Sequence, residues 1–340
     1  MEIKRLKSLD AIAGWIVFAV SAVVYLLTIG PSASLWDCGE FVVCIHKLEV
    51  GHPPGAPFFM LLYNFFSHMT SDPQKIAYLC NAVSGLVSAG TIYFLFRSIT
   101  HIARKLLVEE GALQVSVHQA VCILASGTCG ALVYTFSDTF WFSAVEAEVY
   151  ALSSLFTAVV FWLMLKWEDH ADSADSDRWL ILIAYLMGLG IGVHLLNLLC
   201  IPAMALIFYY RKYPQSNVRG ALVALLTSFV VIAVIMFGII QGSMKVAARF
   251  DLFTVNALGW SFNSGMILYV VLMALVMAFT LWLLYRGRNS SLARLGVLVT
   301  AILMGIPFIS SSPILWLVVS VSESFSAVSC SSAIGAGLMI

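Results

Sequence analysis

Residues 179–210, "WLILIAYLMGLGIGVHLLNLLCIPAMALIFYY", decide how the rest of the chain is threaded. Read as one helix, these 32 residues would measure about 48 Å at 1.5 Å per residue. A bilayer's hydrocarbon core is only about 30 Å thick. Two shorter helices, bent between Gly190 and Asn197, fit better. Charge tests that choice, because Lys and Arg accumulate in cytoplasmic loops. With the bend and an inside N-terminus, 14 of the 18 basic residues fall inside, and only Lys47, Lys75, Lys245 and Arg249 fall outside. One unbroken helix would invert everything downstream of it.

Working outward, apolar runs of spanning length lie near 11–29, 76–97, 119–136, 148–166, 220–240, 265–285, 295–310 and 313–336. With the two in 179–210, the expectation is an all-α polytopic membrane protein of about ten transmembrane helices, forming a single domain over 1–340. The first run begins like a signal peptide, but no small-residue cleavage site follows, so it reads as a retained helix. Composition agrees: 61% of residues are hydrophobic and 11% charged, where soluble domains carry about 25% charged residues. A net charge of zero argues against nucleic-acid partners. The seven cysteines show no metal-ligand spacing, and no residue cluster demands a metal or other cofactor, although a divalent ion is not ruled out by spacing alone.

This threading gives a long first outer loop, 30–75, containing "SLWDCGEFVVCIHKLEVGHPPGAPFF" (34–59). Asp37 and Glu40 are spaced i, i+3, so on a helical turn their carboxylates share a face. Trp36 and Phe41 would anchor that turn at the membrane interface. A carboxylate in a partly dry cleft can act as a general base; the competing reading is a solvated acidic loop. The turn around His52 is stiffened by three prolines that fix φ, which presents the ring from a rigid frame as a site residue or as a structural donor. Residues 57–69 are too short to cross and read as an interfacial or re-entrant helix.

The second outer loop carries Glu146, Glu148 and Tyr150. On extended backbone the two acids would share a face; on a helix they would splay. A helix N-terminus, which favours acids, is the alternative. His194 and Asn197 form the third outer turn. In the fourth loop, Lys245 and Arg249 sit at i, i+4, a pair suited to a phosphate head group or to interfacial snorkelling. The inner segment "KWEDHADSADSDR" (166–178) reads as a solvated turn without chemistry.

At "WDCGEF" (36–41), "GHPPGAP" (51–57), "FWFSAVEAEVYALS" (140–153) and "GLGIGVHLLNLL" (188–199), the chain resembles a bacterial membrane family of unassigned function, abundant in Bacteroidetes. The animal relatives of that family are transmembrane protein O-mannosyltransferases, and the group is similar to the GT-C superfamily of glycosyltransferases. The resemblance spans roughly residues 10–285. It implies a GT-C-like helical bundle whose acidic motif is matched by Asp37 with Glu40, and whose second acidic segment is matched by Glu146 and Glu148. It implies a polyprenyl-phosphate sugar as donor, mannose being one candidate, and a hydroxyl acceptor such as a protein Ser or Thr. Transfer would be inverting, with Asp37 as the favoured base. Lys245, Arg249, His52 and His194 are candidates to hold the leaving phosphate. The site would face the periplasm from a bacterial inner membrane. The pattern departs at 313–340, read as a truncated or aberrant end, since many relatives continue into a soluble outer domain. A membrane transporter and an inactive lipid-binding fragment are the rival functions.

Overall fold

The computed structural model describes residues 1–286 apart from Pro54 and Ala174. Twelve helices follow in order: α1 (Ile3–Thr28), α2 (Cys38–Lys47), α3 (Pro57–Ser67), α4 (Pro73–Leu107), α5 (Val117–Thr135), α6 (Asp138–Ala144), α7 (Val149–His170), α8 (Asp177–Ile191), α9 (Cys200–Lys212), α10 (Val218–Ala233), α11 (Gln241–Leu258) and α12 (Ser264–Arg286). A 3₁₀ turn, Leu195–Leu199, leads into α9, and a π-helical turn, Val234–Ile240, joins α10 to α11. No strand occurs among the described residues, and about 79% of the structure is helical.

Local chemistry sets the helix starts. Asp72 accepts a hydrogen bond from the Gln74 amide at 3.1 Å, with Pro73 at the first helical position of α4, where a missing N–H costs nothing. Ser116 and Gln119 form a reciprocal capping box at α5. Asn217 caps α10 through the Gly220 amide.

Helices α1, α5 and α7 pack around α4, the longest of the set. Lipid gives helices little hydrophobic reason to associate, so close packing at small residues and interhelical hydrogen bonds do the work. Gly14 of α1 lets the Phe96 and Tyr93 rings approach; an added Cβ would sit 3.2 and 3.1 Å from them. Gly127 of α5 does the same against Thr100 and Phe96. Ser21 and Thr135 share a buried hydrogen bond of 2.9 Å, and the Tyr25 hydroxyl donates to the Thr135 carbonyl at 3.0 Å.

The bend expected in 179–210 is present. α8 stops at Ile191, and the 3₁₀ turn follows after His194. Gly190 is required there because Asn197 packs where its Cβ would be. The structure does not establish the expected count of about ten spans. Among the described residues, six helices are long and apolar enough to cross a membrane: α1, α4, α5, α7, Leu195–Lys212 and Val218–Gly238. α8, with 15 residues, measures about 22 Å, so the bend leaves it too short to span alone. Expected spans 295–310 and 313–336, and the unusual end at 313–340, lie outside the described residues.

The first long loop is a folded unit. α2 and α3 bury Phe41, Ile45, Phe59, Met60 and Tyr63 against Ile76 and Cys80 of α4 and Val149 and Leu152 of α7. Phe41 therefore packs in a core, contrary to its expected place at the membrane interface. α3 also buries one face there, because Tyr63 donates or accepts at Ser84 (3.0 Å) and the Asn64 amide caps the Ile45 carbonyl (2.7 Å).

Charge separates along the bundle. The start of α1, the end of α4 and the end of α7 share one end, joined by Asp10–Arg97 (2.9 Å), Lys105–Glu168 (2.7 Å) and Lys105–Asp169 (3.2 Å). Asp172 pairs with Arg211. The 166–178 segment is thus an ion-paired strut between α4, α7 and α9, where only a solvated turn was expected. Loops 29–72 and 136–148 lie at the opposite end and carry Asp37, Glu40, Glu146 and Glu148.

Candidate active site

Asp37 is the N-terminal flanking residue of α2, and Glu40 sits in its first turn. The two carboxylates share a face, as their spacing predicts, and that face meets His52. Trp36, immediately before them, is held at φ +77° and is 91% exposed, a backbone conformation that a bulky residue seldom adopts. Glu40 grips the 51–55 turn with both oxygens. Oε1 accepts the His52 amide at 2.6 Å, and Oε2 lies 3.1 Å from His52 Nδ1. Gly51 is buried against this contact: a Cβ there would come within 3.1 Å of Glu40 Oε1 and 3.0 Å of Met60 Cε. Gly55, at φ +77°, closes the turn by donating to the His52 carbonyl at 3.0 Å. The hydrogen bonds from His52, first from its backbone and then from its ring, hold the Glu40 carboxyl below its ordinary range. His52 Nε2 points at Asp37 Oδ2, 4.0 Å away.

Glu146 and Glu148 arrive from the second loop. Glu148 is the extended residue before α7, and its carboxylate accepts the Val149 amide at 3.3 Å. The helix-start reading therefore holds in part, yet both acids are also about nine-tenths buried. Burial raises the Glu146 carboxyl, with a hydrogen bond from Ser34 opposing. Burial is also the main reason why Glu148 is pushed up to about 7; the Val149 amide opposes this, and the charges of Asp37 and Glu146 add to it. Glu148 feels His52 as well, so five sequence-predicted residues from three segments form one electrostatic cluster. Among the described residues no Lys or Arg pairs with any of these four acids, and the one basic side chain set against them is His52.

Asn81 brings the two loops together, and sequence reasoning missed it. It is 1% exposed on α4. Its amide donates to the carbonyls of Gly30 (3.0 Å) and Ser32 (3.1 Å), while its Oδ1 accepts the Ala147 amide at 2.8 Å. A lone Asn inside the apolar run 76–97 was the available signal, since a polar side chain in a span needs partners.

Tyr150 and His194 form a second pair at this end, ring centroids 5.3 Å apart. The Leu196 amide donates to His194 Nδ1 at 3.2 Å, which leaves Nε2 as the protonated nitrogen of the neutral ring. Burial holds that ring below its ordinary pKa, so it presents a neutral donor. Asn197 is fully buried, accepts from the Thr157 hydroxyl at 3.3 Å and packs on Gly190; its contacts are those of the helix break. Lys245 and Arg249 lie on α11, whose main packing partners are α12 and the π-helical turn, so the structure does not bring them against the acids.

Beneath the acids is an apolar cleft of about 180 Å³, lined by Phe58 and Leu62 of α3, Leu152, Leu155, Phe156 and Val159 of α7, and Leu186 of α8. Leu152 lies four residues after Glu148, about 6 Å along the helix.

The fold and this site define a helical integral membrane protein with a His-braced acidic cluster at one end. A family model described as Protein O-mannosyl-transferase TMEM260 N-terminal domain matches residues 37–217, more than half of the chain, and the chain belongs to that family. It is 31% identical over 176 residues to Protein O-mannosyl-transferase TMEM260 of Mus musculus, covering 52% of this chain and 22% of the relative. It is 26% identical over 165 residues to Protein O-mannosyl-transferase tmem260 of Dictyostelium discoideum, covering 48% of this chain and 18% of the relative. The matched stretch thus spans about a fifth of these relatives. No solved structure matches.

Proposed function

We propose that this chain is a membrane glycosyltransferase of the protein O-mannosyltransferase kind, built on a GT-C-like bundle. The observation that carries this reading is the convergence of Asp37, Glu40, His52, Glu146 and Glu148 at one end of a helical bundle, in a chain whose named relatives are O-mannosyltransferases. The donor is a polyprenyl-phosphate sugar, mannose by analogy with those names. Its isoprenoid tail suits the apolar cleft that begins one helical turn below Glu148. The acceptor is a Ser or Thr hydroxyl of a protein. In a bacterial host the membrane is the inner one and the site faces the periplasm, the side that the Lys and Arg bias assigns to loop 30–75.

In the transfer, the acceptor oxygen attacks the anomeric carbon as the bond to the phosphate oxygen breaks on the opposite face. That inverts the centre and releases the lipid monophosphate. The acceptor's proton goes to a carboxylate. Glu40 is poorly suited, because both of its oxygens are engaged by His52. Asp37, half-exposed at the lip, meets the acceptor. Glu148, titrating near 7, is matched to holding the proton at neutral pH. Tyr150 and the neutral His194 donor suit sugar or phosphate oxygens, with Asn197 fixing the turn that carries His194. Lys245 and Arg249 remain the outward basic pair available to the donor's phosphate. No resident cofactor is needed by these steps, since a monophosphate leaving group does not itself demand one. Charged groups collect at the two ends of the bundle, which disfavours a transporter's ionisable path through the middle.

The test is reconstitution of the purified chain in liposomes with polyprenyl-phosphate mannose and a Ser/Thr peptide, with mannosyl peptide read by mass spectrometry. Transfer that requires the lipid donor and falls at least about 10²-fold in both Asp37→Asn and Glu148→Gln supports the reading. Donor-independent labelling, or full turnover in the double variant, sinks it.

A further inference from the structure

The turn at residues 51–55 fixes more than a histidine's position. The Glu40 carboxylate can only accept at His52 Nδ1, so Nδ1 carries the ring proton and the neutral ring keeps its lone pair on Nε2. That lone pair faces Asp37 Oδ2 at 4.0 Å. Two electron-rich atoms thus confront each other across a gap too wide for a hydrogen bond. A carboxylate gripping the far nitrogen of an imidazole is also the arrangement that orients metal-bound histidines.

Geometry and charge both favour a cation in that gap. One ligand atom from each of Asp37, Glu40 and His52 falls within a set spanning no more than 4.8 Å. Two atoms bound about 2.1 Å from a shared ion lie about 3.0–3.4 Å apart when cis or tetrahedrally disposed. Closing from 4.0 Å takes a shift of under about 1 Å by side chains that are 42–44% exposed. Behind them lie Glu146 and Glu148, nine-tenths buried and without any Lys or Arg partner among the described residues. Glu148 Oε2 accepts its own helix amide, from Val149, at 3.3 Å. Asp37 and Glu40 flank the imidazole, and Glu148 interacts with both it and Asp37, so carboxyl groups outnumber the one ring that faces them.

We propose that Asp37 and His52 bind a divalent transition-metal ion of the Mn²⁺ or Zn²⁺ kind, with Glu40 orienting the imidazole and the buried pair Glu146 and Glu148 supplying the negative field. One imidazole and one carboxylate form a mixed nitrogen and oxygen set that suits those ions better than Ca²⁺. The half-exposed face leaves coordination positions for water or for an oxyanion. If the transferase reading holds, that oxyanion is the donor's phosphate, which otherwise meets no cationic side chain at the acids, and Asp37 as a ligand leaves the acceptor's proton to Glu148. Ion binding itself does not depend on that reading.

The test uses the full chain, purified in detergent, stripped with EDTA and titrated with Mn²⁺ alone, with the free ion followed by electron paramagnetic resonance. One saturable site is expected. Asp37→Asn and His52→Gln should each weaken it more than tenfold. Glu40→Gln should weaken it about tenfold, the usual effect of losing a group that orients a ligand. Lys245→Gln should leave it unchanged. In the wild-type chain, Mn²⁺ should also protect His52 from acylation by diethyl pyrocarbonate, read by peptide mass spectrometry, which needs no variant to fold. Absence of a saturable site, unprotected His52, or an unchanged Kd in the Asp37→Asn, His52→Gln double variant would overturn the proposal. Ion binding without sugar transfer leaves it standing and removes the transferase reading; transfer in EDTA with no ion bound does the reverse.

Discussion

Asn81→Ala separates the scaffold of the site from its chemistry. The side chain ties loop 29–37 to loop 145–149 through three hydrogen bonds and touches none of the acids directly. Its removal leaves the Ala147 amide, on a fully buried residue, with no acceptor. An orphaned buried donor costs about 1–3 kcal/mol, and each of the other two bonds contributes about 0.5–1.5 kcal/mol. The Gly30 and Ser32 carbonyls lie nearer the surface and can recruit water, so the loss falls in the lower part of that sum, about 2–4 kcal/mol. The effect is local, because the bundle's own contacts among α1, α4, α5 and α7 are untouched. Hydrogen exchange in detergent reads it directly. At about 1.4 kcal/mol per tenfold, peptides containing Ala147 should exchange at least about 30-fold faster, while peptides from the middle of α5 stay at wild-type rates. Sugar transfer should fall with it, since Glu146 and Glu148 flank the released amide. Wild-type exchange at 147, or fast exchange with full transfer, would refute the claim that Asn81 holds the acids in place.

Three further outcomes follow from the same geometry. Asp37→Asn keeps the side chain's volume and should lower turnover by about 10²-fold with no change in the melting midpoint, because Asp37 lies outside the packed core; near-normal turnover would shift the proton to Glu148. Glu148 binds its proton more tightly folded than unfolded, its carboxyl moving from 4.5 to about 7. Its contribution to stability is therefore complete below pH 4.5 and is lost as pH rises through about 7, whereas transfer that needs the carboxylate should rise through the same range. Glu148→Gln should flatten the stability profile over that window, and an unchanged profile would show that the group is not buried as described. Lys245→Gln combined with Arg249→Gln should raise the apparent donor KM about tenfold, the cost of one charge-assisted hydrogen bond, if α11 meets the phosphate; normal donor dependence would leave that role to His52, His194 or a bound ion.

The legible and illegible parts of this protein divide along a physical line. Apolar run length is a one-dimensional quantity, so α1, α4, α5, α7 and the break at Gly190–Asn197 could be read directly. The i, i+3 spacing of Asp37 and Glu40 is likewise local and implied a shared face; that this face meets His52 came only with the structure. Hydropathy also marks α8 as a span, but the 3₁₀ turn leaves it at 15 residues, shorter than the bilayer's thickness. The helical pieces of loop 30–75 were legible, but their shared core was not, because it is assembled across distance. Phe41 and Tyr63 are buried only because α4 and α7 pass beside them, and no local pattern encodes that. Asn81 was hidden in the same way, since its partners are about 50 and 66 residues away.

The lower end of the bundle makes the upper end's charge imbalance meaningful. There, Asp10, Glu168, Asp169 and Asp172 are each matched by Arg97, Lys105 or Arg211, as expected where helix ends must be neutralised near lipid. At the other end Asp37, Glu40, Glu146 and Glu148 have one imidazole among them. Burying two of those acids without a Lys or Arg beside them is costly in a protein interior; Asn81 already ties the loops, and the start of α7 engages Glu148 only through the Val149 amide. Under the transfer proposed above, that cost prepares Glu148 to take the acceptor's proton, while the half-exposed Asp37 is left to meet a cation. Replacing Glu146 and Glu148 together by Gln should therefore stabilise the fold above pH 7 while abolishing transfer. A double variant that is both less stable at that pH and fully active would show that the acids serve the fold instead.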